Sequence, residues 1–139
     1  MFDTNSFGRT LDILQRSMDV SLLRQDVIAD NIANGDTPNF KRSTVNFESQ
    51  LAAALESESP QRMPLAMTRS GHVSNNRTVD YATVTANRQL DYLTTADNNG
   101  NNVDIEVESM NYLNAQLMYM LMTNSVSEQF NRLQLVLAG

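Results

Sequence analysis

The sequence contains no cysteine and little positive charge. Without cysteine, disulfide frameworks, thiolate zinc sites and cysteine nucleophiles are excluded. Ten lysine and arginine residues stand against sixteen aspartate and glutamate residues, which leaves a formal net charge of −6. Lys41 is the only lysine, and no basic cluster exists beyond the pair Lys41-Arg42. A protein with this charge balance is not expected to coat nucleic acid or to bind anionic lipid.

Long apolar runs and a secretory signal are also missing. The longest apolar run, residues 117–122, has six residues, whereas a membrane-spanning helix needs about 20. The first residues, MFDTNSFGRT, lack the basic start and the apolar block of a cleaved signal peptide. We therefore expect no direct membrane insertion, and any export must use a route that reads no cleaved N-terminal signal.

No arrangement of residues in the sequence points to catalysis. His72 is the only histidine and follows Gly71 in a polar stretch, which is typical of a solvated loop. The five glycines are scattered, so they cannot form a phosphate-binding loop. Glu56 and Glu58 are interpreted as solvated charges next to Pro60. The sequence predicts no catalytic residue and no cofactor-binding residue, and we expect the protein not to be an enzyme.

One stretch partly matches a calcium-binding loop. Its candidate ligands follow the spacing of such a loop: Asp97, Asn99, Asn101, the Val103 carbonyl and Glu108. The sixth position should be glycine for the sharp turn, but it is Asn102, and the aliphatic eighth position is Asp104. We therefore predict no metal site in residues 97–108.

The N-terminal segment has the pattern of a long helix. Residues 6–34 contain no proline, and their apolar side chains recur at spacings near three and four, which is typical of a helix. A first stripe contains Phe7, Leu11, Leu14, Met18, Leu22, Ile28 and Ile32. A second stripe, about 150° around the same helix, contains Ile13, Val20, Leu23 and Val27. A helix on the surface of a globule needs only one such stripe.

The C-terminal segment also predicts a helix. Asn101 or Asn102 is the predicted cap, and Asp104 and Glu106 in the first turn suit the positive end of the helix dipole. One face of the first half carries Val107, Met110, Leu113, Leu117 and Leu121. A different face of the second half carries Val126, Phe130, Leu133 and Leu137.

These patterns predict a mainly α fold in which two long terminal helices form an antiparallel coiled-coil-like pair. We divide the chain into an N-terminal helix with its motif at 1–42, a middle segment at 43–100 and a C-terminal helix at 101–139. The middle is rich in polar residues and predicts loops. Within it, residues 47–56 suit a short helix and residues 79–84 suit a strand or a hairpin arm.

The two helices carry more apolar surface than one copy of the chain can cover. After they pair, each still has uncovered apolar side chains, whose exposure forgoes about 10 kcal/mol per helix at ~1.5–3 kcal/mol for each side chain. An alternative is a three- or four-helix bundle to which the middle segment contributes further helices. We prefer packing between molecules, through a predicted assembly interface of Leu11, Ile13, Leu14, Met18, Val20, Val27, Ile28, Ile32, Leu113, Leu117, Leu121, Val126, Phe130, Leu133 and Leu137.

Residues 29–42, with the sequence ADNIANGDTPNFKR, form a motif between the first helix and the middle segment. Asn34-Gly35 supplies residues that tolerate a left-handed backbone at a helix end, and Thr37-Pro38 prevents the helix from continuing. This motif resembles the N-terminal signature of the flagellar basal-body rod and hook family, A-N-N-I-A-N-x-x-T-P-G-Y. Residues 100–106, GNNVDIE, are similar to the start of that family's last helix.

Asn39 and Phe40 are among the motif residues that differ from the family pattern. Asn39 stands where glycine is usual, but asparagine still tolerates positive φ. Phe40 replaces tyrosine and therefore lacks its hydroxyl. The tail at residues 129–133, QFNRL, is similar to the ending of one short proximal rod protein of the family, and the sister proximal rod protein of similar length is the alternative within it.

The resemblance implies a structural subunit of the proximal rod, or drive-shaft, of the flagellar basal body in the periplasmic space, needed for motility. It implies export by the flagellar type III apparatus without a cleaved signal peptide. The implied partners are other rod proteins, the membrane-ring adaptor, ring proteins and further copies of the chain. A structural role is implied for the motif positions Asn31, Ile32, Ala33, Asn34, Thr37 and Pro38. An alternative from another class is a soluble helical adaptor or export chaperone.

Overall fold

The computed structural model describes residues 6–58, 68–69, 71, 78–94 and 100–138. In chain order the elements are α1 (Ser6–Ala33), β1 (Ser43–Asn46), α2 (Glu48–Ser57), a 3-10 helix (Tyr81–Thr83), β2 (Asn87–Leu90) and α3 (Ile105–Leu137). The predicted fold is confirmed: the chain is mainly helical, and its two long terminal helices pack against each other. Among the described residues the middle segment supplies one short α-helix, so the helix-bundle alternative is wrong.

Contacts along the helix pair show that α1 and α3 run antiparallel. The rings of Phe7 and Phe130 meet edge to face, with their centroids 6.1 Å apart. Further along α1, the Ser21 hydroxyl donates to the Ala115 carbonyl at 2.9 Å. Such a contact needs a close approach of the two backbones, which the small side chain of Ala115 permits. No helix in the described part of the chain combines the length and the apolar composition needed to cross a bilayer.

The end of α1 depends on a close contact with the start of α3. Asn34 and Gly35 follow the helix and donate backbone hydrogen bonds to Asp30, Asn31 and Ile32. Neither residue has positive φ, so the predicted left-handed ending is wrong at these positions. A Cβ atom on Gly35 would lie 3.0 Å from Cδ1 of Ile105, so a larger residue there would have to displace the Ile105 side chain. Asn39 does adopt positive φ, at 60°, as expected from its place in the motif.

Helix α3 begins with a different cap from the one predicted. The Asp104 carboxylate accepts hydrogen bonds from the backbone N–H groups of Glu106 and Val107, at 3.0 and 3.2 Å. Asp104 is therefore the cap, as carboxylates commonly are. The predicted caps Asn101 and Asn102 are wrong because both side chains are buried in other hydrogen bonds.

The short helix predicted at residues 47–56 is confirmed by α2, but the strand predicted at 79–84 is wrong. That stretch contains the 3-10 helix instead. The Asp80 carboxylate accepts from the Ala82 N–H at 2.8 Å, and the Thr83 hydroxyl donates to the Asp80 carbonyl at 2.7 Å. These local side-chain bonds compete with an extended backbone. Tyr81 and Val84 are both buried, which explains the weak alternation in the sequence.

Strands β1 and β2 form a two-stranded sheet. The Asp91 N–H, just after β2, donates to the carbonyl of Arg42, just before β1, at 2.9 Å. The strands are therefore antiparallel. Strand β2, with the sequence NRQL, is exposed along its whole length. It has no apolar alternation, so nothing in its composition predicts a strand.

Internal contacts divide the chain into two compact units, residues 1–45 with 88–139 and residues 46–87. In the first unit, Val20, Val27, Ile28, Val103 and Ala115 are buried. In the second unit, the buried apolar residues are Phe47, Leu51, Ala54, Tyr81 and Val84. The Ser57 hydroxyl also accepts from the Val79 N–H at 2.8 Å, which ties α2 to the chain before the 3-10 helix.

Candidate assembly interface

Asn31 lies at the centre of a buried polar network in the first unit. Its side-chain amide donates to the Ser43 carbonyl at 2.8 Å and to a Glu108 carboxylate oxygen at 3.0 Å. Its side-chain oxygen accepts from the Ser43 N–H at 2.9 Å. One fully buried side chain therefore connects α1, β1 and α3. We call this network the polar junction; it comprises Asn31, Arg42, Ser43, Asp91, Asn101, Asn102 and Glu108.

Arg42 forms ion pairs with both carboxylates of the polar junction. Its guanidinium lies 3.1 Å from the second Glu108 oxygen and 3.0 Å from an Asp91 oxygen. The Leu93 N–H, Arg42 and Thr94 all donate to the Asp91 carboxylate, and these donors lower the pKa of Asp91 to about 2. Burial of Glu108 would be costly for an unpaired charge, but here both carboxylate oxygens have a donor.

Asn101 connects the N-terminal motif to the segment before α3. Its amide nitrogen lies 3.1, 2.7 and 2.9 Å from the carbonyl oxygens of Asn34, Gly35 and Thr37. Its side-chain oxygen accepts from the Val103 N–H at 2.7 Å. Three carbonyls of the turns that follow α1 are thus contacted by a residue 64 to 67 positions away. The two motifs that carry the family resemblance are partners in one structure.

Neighbouring residues extend this contact. The Lys41 ammonium donates to the Gly100 carbonyl at 2.6 Å, and the Arg42 N–H donates to the side-chain oxygen of Asn102 at 2.7 Å. Gly100 has φ of +80°, and a Cβ atom there would lie 2.7 Å from the Asn39 side-chain oxygen. Glycine is therefore required at this position by both backbone conformation and space.

The predicted motif residues all lie on the N-terminal side of this contact, and they differ in burial. Asn31 is buried, Ile32 and Asn34 are half-buried, and Ala33, Thr37 and Pro38 are exposed. Their distant partners Arg42, Asn101 and Glu108 were not predicted as functional residues. Glu108 lies away from the apolar face that the sequence predicts for α3, so the sequence identifies neither Glu108 nor its partners.

The side of α3 that faces away from α1 carries an apolar stripe. At 100° per residue, Met110, Leu113, Leu117 and Leu121 lie opposite the buried Glu108 and Ala115. We call these four residues the outer stripe. Their side chains are 48% to 67% exposed. A water-facing side of a helix is normally polar, so this arrangement points to a missing partner.

A second exposed apolar group lies at the end of α3. We use "the α3 end" for Leu133, Leu135, Val136 and Leu137, of which the last three are 76% to 78% exposed. Earlier in the helix, Val126 is half-buried, and Phe130 remains exposed although it contacts Phe7. The outer stripe and the α3 end therefore contain five of the predicted interface residues, Leu113, Leu117, Leu121, Leu133 and Leu137.

The predicted interface residues of α1 are less exposed. Leu11, Ile13, Leu14, Met18 and Ile32 are half-buried, and Val20, Val27 and Ile28 are buried. The expectation that the second stripe of α1 stays uncovered is therefore wrong for Val20 and Val27. Strand β1 lies against this part of the helix, since Arg24 donates to the Val45 carbonyl at 3.4 Å. The unpartnered apolar surface is thus concentrated on α3.

A cavity of about 320 Å³ lies between α1, β1 and α3 in the first unit. It is lined by Arg24, Val27, Ile28, Arg42, Ser43, Thr44, Val45, Glu108, Asn111, Asn114, Ala115 and Met118. The Ser43 hydroxyl is buried and has no hydrogen-bond partner in the described part of the chain. The cavity combines apolar walls with charged and hydroxyl groups.

The described residues of the calcium-loop match are not arranged as metal ligands. Asp97 and Asn99 lie outside the described residues, as does His72. The side chains of Asn101 and Glu108 are engaged in the polar junction. Within the described ranges, no group of three or more histidine, cysteine, aspartate or glutamate residues is arranged to hold a metal ion.

The chain is similar to proteins of one kind. A family model described as "Flagella basal body rod protein" matches residues 11–41. The flagellar basal body rod protein FlgB of Borreliella burgdorferi is 44% identical over 133 residues, which cover 96% of this chain and 98% of that protein. FlgB of Borrelia hermsii is 41% identical with the same coverage. FlgB of Bacillus subtilis is 32% identical and covers 96% of both chains.

Proposed function

The chain belongs to the family of flagellar basal body rod proteins, and we propose that it enters the rod by packing α3 against neighbouring subunits. Its function is that of a structural rod subunit. The predicted similarity to FlgB, in preference to the sister protein FlgC, is confirmed by the names of the relatives. The alternative of a soluble helical adaptor or export chaperone is not favoured, because these relatives match nearly the whole chain.

The exposure of the outer stripe is the observation that best supports the proposed packing. Its four side chains face away from α1, so closer packing within the helix pair cannot cover them. Each is already about half covered, so complete cover would contribute about half of the ~1.5–3 kcal/mol of full burial. Over four side chains this is still a substantial sum beside the usual stability of a small domain. A neighbouring helix laid along Met110, Leu113, Leu117 and Leu121 is the simplest cover, since residues at these spacings form a ridge.

We also propose where the chain works in the cell and which proteins it contacts. As a rod subunit it would work in the basal body within the periplasmic space, in the proximal drive-shaft, after export by the flagellar type III apparatus without a cleaved signal. Other rod proteins, the membrane-ring adaptor, ring proteins and further copies are the proposed neighbours. We also propose a purely structural role without catalysis, which the family membership supports.

The proposal is tested by placing charge on the outer stripe. In Leu113→Glu/Leu117→Glu, the isolated chain should keep its helix content, because both side chains are exposed. Incorporation into basal bodies should be lost, because two carboxylates cannot be buried at an apolar contact. Immunoblotting of purified basal bodies and a motility assay measure this.

The matched control adds the same charge elsewhere on α3. Ser109→Glu/Gln116→Glu changes two exposed polar residues and should assemble normally. Motile cells with normal amounts of the Leu113→Glu/Leu117→Glu chain in their basal bodies would show that the outer stripe is not an assembly surface. Cryo-electron microscopy of the same basal bodies would show directly whether the chain lies in the rod.

A further inference from the structure

Two asparagine-glycine pairs occur in the sequence, Asn34-Gly35 and Asn99-Gly100. Asparagine is a chemically labile residue. It is most labile before glycine, because the backbone nitrogen of glycine is not shielded by a neighbouring Cβ atom and its backbone rotates freely. The first pair lies in the turn that follows α1. Asn34 is therefore a candidate for a spontaneous covalent modification, the loss of its side-chain amide.

The reaction at Asn34 has two steps. The Gly35 nitrogen loses its proton and forms a bond to the side-chain carbonyl carbon of Asn34, while the bond from that carbon to the side-chain nitrogen breaks and ammonia leaves. Water then opens the resulting succinimide ring at either of its two carbonyls. One opening gives aspartate, and the other gives isoaspartate, in which the main chain runs through the former side chain. The only co-reactant is water, and nothing is oxidised or reduced.

In the folded subunit both reacting groups are engaged elsewhere. The Gly35 N–H donates to the Ile32 carbonyl at 3.1 Å, and Gly35 is buried. The Asn34 side-chain nitrogen donates to the Asp30 carbonyl at 2.7 Å, one helical turn back. Its side-chain oxygen lies 3.5 Å from the Thr37 hydroxyl. The side chain is thus held towards α1, and the nucleophilic nitrogen keeps its proton in a hydrogen bond.

Asn101 closes the same turn from the other side. Its amide nitrogen lies 3.1 Å from the Asn34 carbonyl oxygen and 2.7 Å from the Gly35 carbonyl oxygen. These two carbonyls flank the nitrogen that would react, so holding both of them restricts the backbone rotation that the attack needs. The reaction therefore requires the turn to open, and local opening of a hydrogen-bonded segment has an unfavourable equilibrium.

We propose that Asn34 is a deamidation site that the folded subunit holds unreactive and that reacts when the turn is open or the chain is unfolded. Isoaspartate turns the Asn34 carbonyl, a partner of Asn101, into a free carboxylate and adds one carbon atom to the main chain. Either product also adds a negative charge between Asp30 and Asp36. A chain that has spent time unfolded therefore acquires a defect in the contact between its N-terminal motif and the segment before α3.

Peptide mapping by mass spectrometry tests the proposal without any substitution. The purified full-length chain is incubated in mildly alkaline buffer, either native or unfolded in guanidinium chloride, and deamidation is measured separately at Asn34 and Asn99. In the unfolded chain both should react at similar rates, because each precedes a glycine. In the native chain Asn34 should react at least tenfold more slowly, on the order of its opening equilibrium.

Two variants test the role of Asn101 in the turn. Asn101→Ala should raise the native rate at Asn34 several-fold, because the two carbonyls lose their shared donor. Ser21→Ala is the matched control, since it also removes a buried hydrogen bond between distant segments, the one from α1 to Ala115 of α3, but away from the turn. Circular dichroism checks that both variants are folded. Equal native rates at Asn34 in both would overturn the role of Asn101.

The consequence for folding is measured on chain that was modified while unfolded and then returned to buffer. Its urea midpoint should be lower than that of unmodified chain. Asn34→Gln is the control, because glutamine must close a larger ring and reacts far more slowly, so the same treatment modifies this variant at Asn99 alone. A loss of midpoint as large in Asn34→Gln as in the parent would overturn the proposed defect.

Two results would overturn the proposal as a whole. One is an Asn34 that reacts as fast in the native chain as in the unfolded chain. The other is an Asn34 that stays unmodified in the unfolded chain while Asn99 reacts. Neither result bears on the packing of α3 against neighbouring subunits, which the outer-stripe variants test separately.

Discussion

At the scale of single residues, the polar junction explains why the motif of this chain contains so many side-chain amides. Asn31 and Asn101 each offer donors and an acceptor in a fixed plane, and both are fully buried. Asn31 meets β1 and a carboxylate, while Asn101 meets carbonyls of the turns that follow α1. Neither an apolar residue nor a charged one could satisfy both kinds of group at once.

Replacing Asn31 should therefore be costly to folding. In Asn31→Leu the size is nearly kept, but the Ser43 N–H, the Ser43 carbonyl and one Glu108 oxygen lose their shared partner. We expect a loss of about 3 kcal/mol, since each buried group left unpaired costs ~1–3 kcal/mol. Urea unfolding followed by circular dichroism measures the change.

Asn34→Ala is the matched control for this prediction. The Asn34 side chain is half-buried and donates to the Asp30 carbonyl of its own helix at 2.7 Å. Its loss should cost well under half as much as that of Asn31. Equal losses for the two variants would show that the polar junction does not carry the expected stability.

Asp91 should make the stability of the chain sensitive to acid. Its donors lower its pKa to about 2 in the folded chain, whereas an unfolded aspartate has a pKa of about 3.9. The folded state therefore binds this proton less readily, so the contribution is present above pH 4 and is lost as the pH falls towards 2. The urea midpoint of the parent should fall across this window, and that of Asp91→Asn should fall less.

The exposed Asp36 provides the comparison for this pH dependence. Asp36→Asn removes a carboxylate of the same type outside the polar junction and should follow the parent curve. If the curves of Asp91→Asn and the parent were parallel from pH 4 to 2, the Asp91 interactions would not contribute to acid sensitivity. The measurement needs only denaturant titrations at several pH values.

At the scale of elements, the small residues between the terminal helices set how closely they approach. Ala115 is buried, and its carbonyl accepts from the Ser21 hydroxyl. Gly35 gives similar room to Ile105 at the end of α1. Polar and small side chains therefore form much of the contact between α1 and α3, while large apolar side chains of α3 point outwards.

Ala115→Leu should force the helices apart. A larger side chain at this packed position is expected to cost about 1–3 kcal/mol and to lengthen or break the Ser21 hydrogen bond. Thermal unfolding measures the loss, and Gln116→Leu on the exposed side of the same turn should be nearly neutral. If Ala115→Leu unfolded at the parent temperature, the contact would be looser than described.

The sequence predicted some helices and strands better than others. Both long helices and α2 follow from apolar spacing, and the outer stripe could be predicted because Met110, Leu113, Leu117 and Leu121 share that spacing. Strand β2 could not, because NRQL owes its conformation to pairing with β1. The polar junction was missed for a related reason: Arg42, Asn102 and Glu108 resemble solvated residues until the fold brings distant segments together.

At the scale of the whole molecule, the two long helices have unequal roles. All the large apolar side chains of α3 except Tyr119, Met122 and Val126 are exposed, whereas much of α1 is buried or half-buried. Helix α1 thus contributes mainly to the subunit itself. Helix α3 contributes both to the subunit and to its proposed neighbours, and the isolated chain should associate at high concentration.

Hydrogen exchange of the backbone amides should show this difference between α1 and α3. In dilute solution, residues 20–28 of α1 should be protected, because they pack on α3 and β1, while residues 131–137 should exchange rapidly. In isolated basal bodies, protection should extend through residues 131–137. Slow exchange at 131–137 in the dilute chain would mean that the α3 end is already covered, and the proposed packing of α3 against neighbouring subunits would lose support.

The polar junction has one further consequence for a rod built from many copies. Sliding α3 along α1 by one heptad, about 10 Å, would keep many apolar contacts but separate Asn31 from Glu108 and Asn101 from its carbonyls. Each buried group left unpaired costs ~1–3 kcal/mol, so a slipped arrangement is strongly disfavoured. Every copy is therefore expected to hold α1 and α3 in the same register, which keeps the outer stripe at the same position on each subunit.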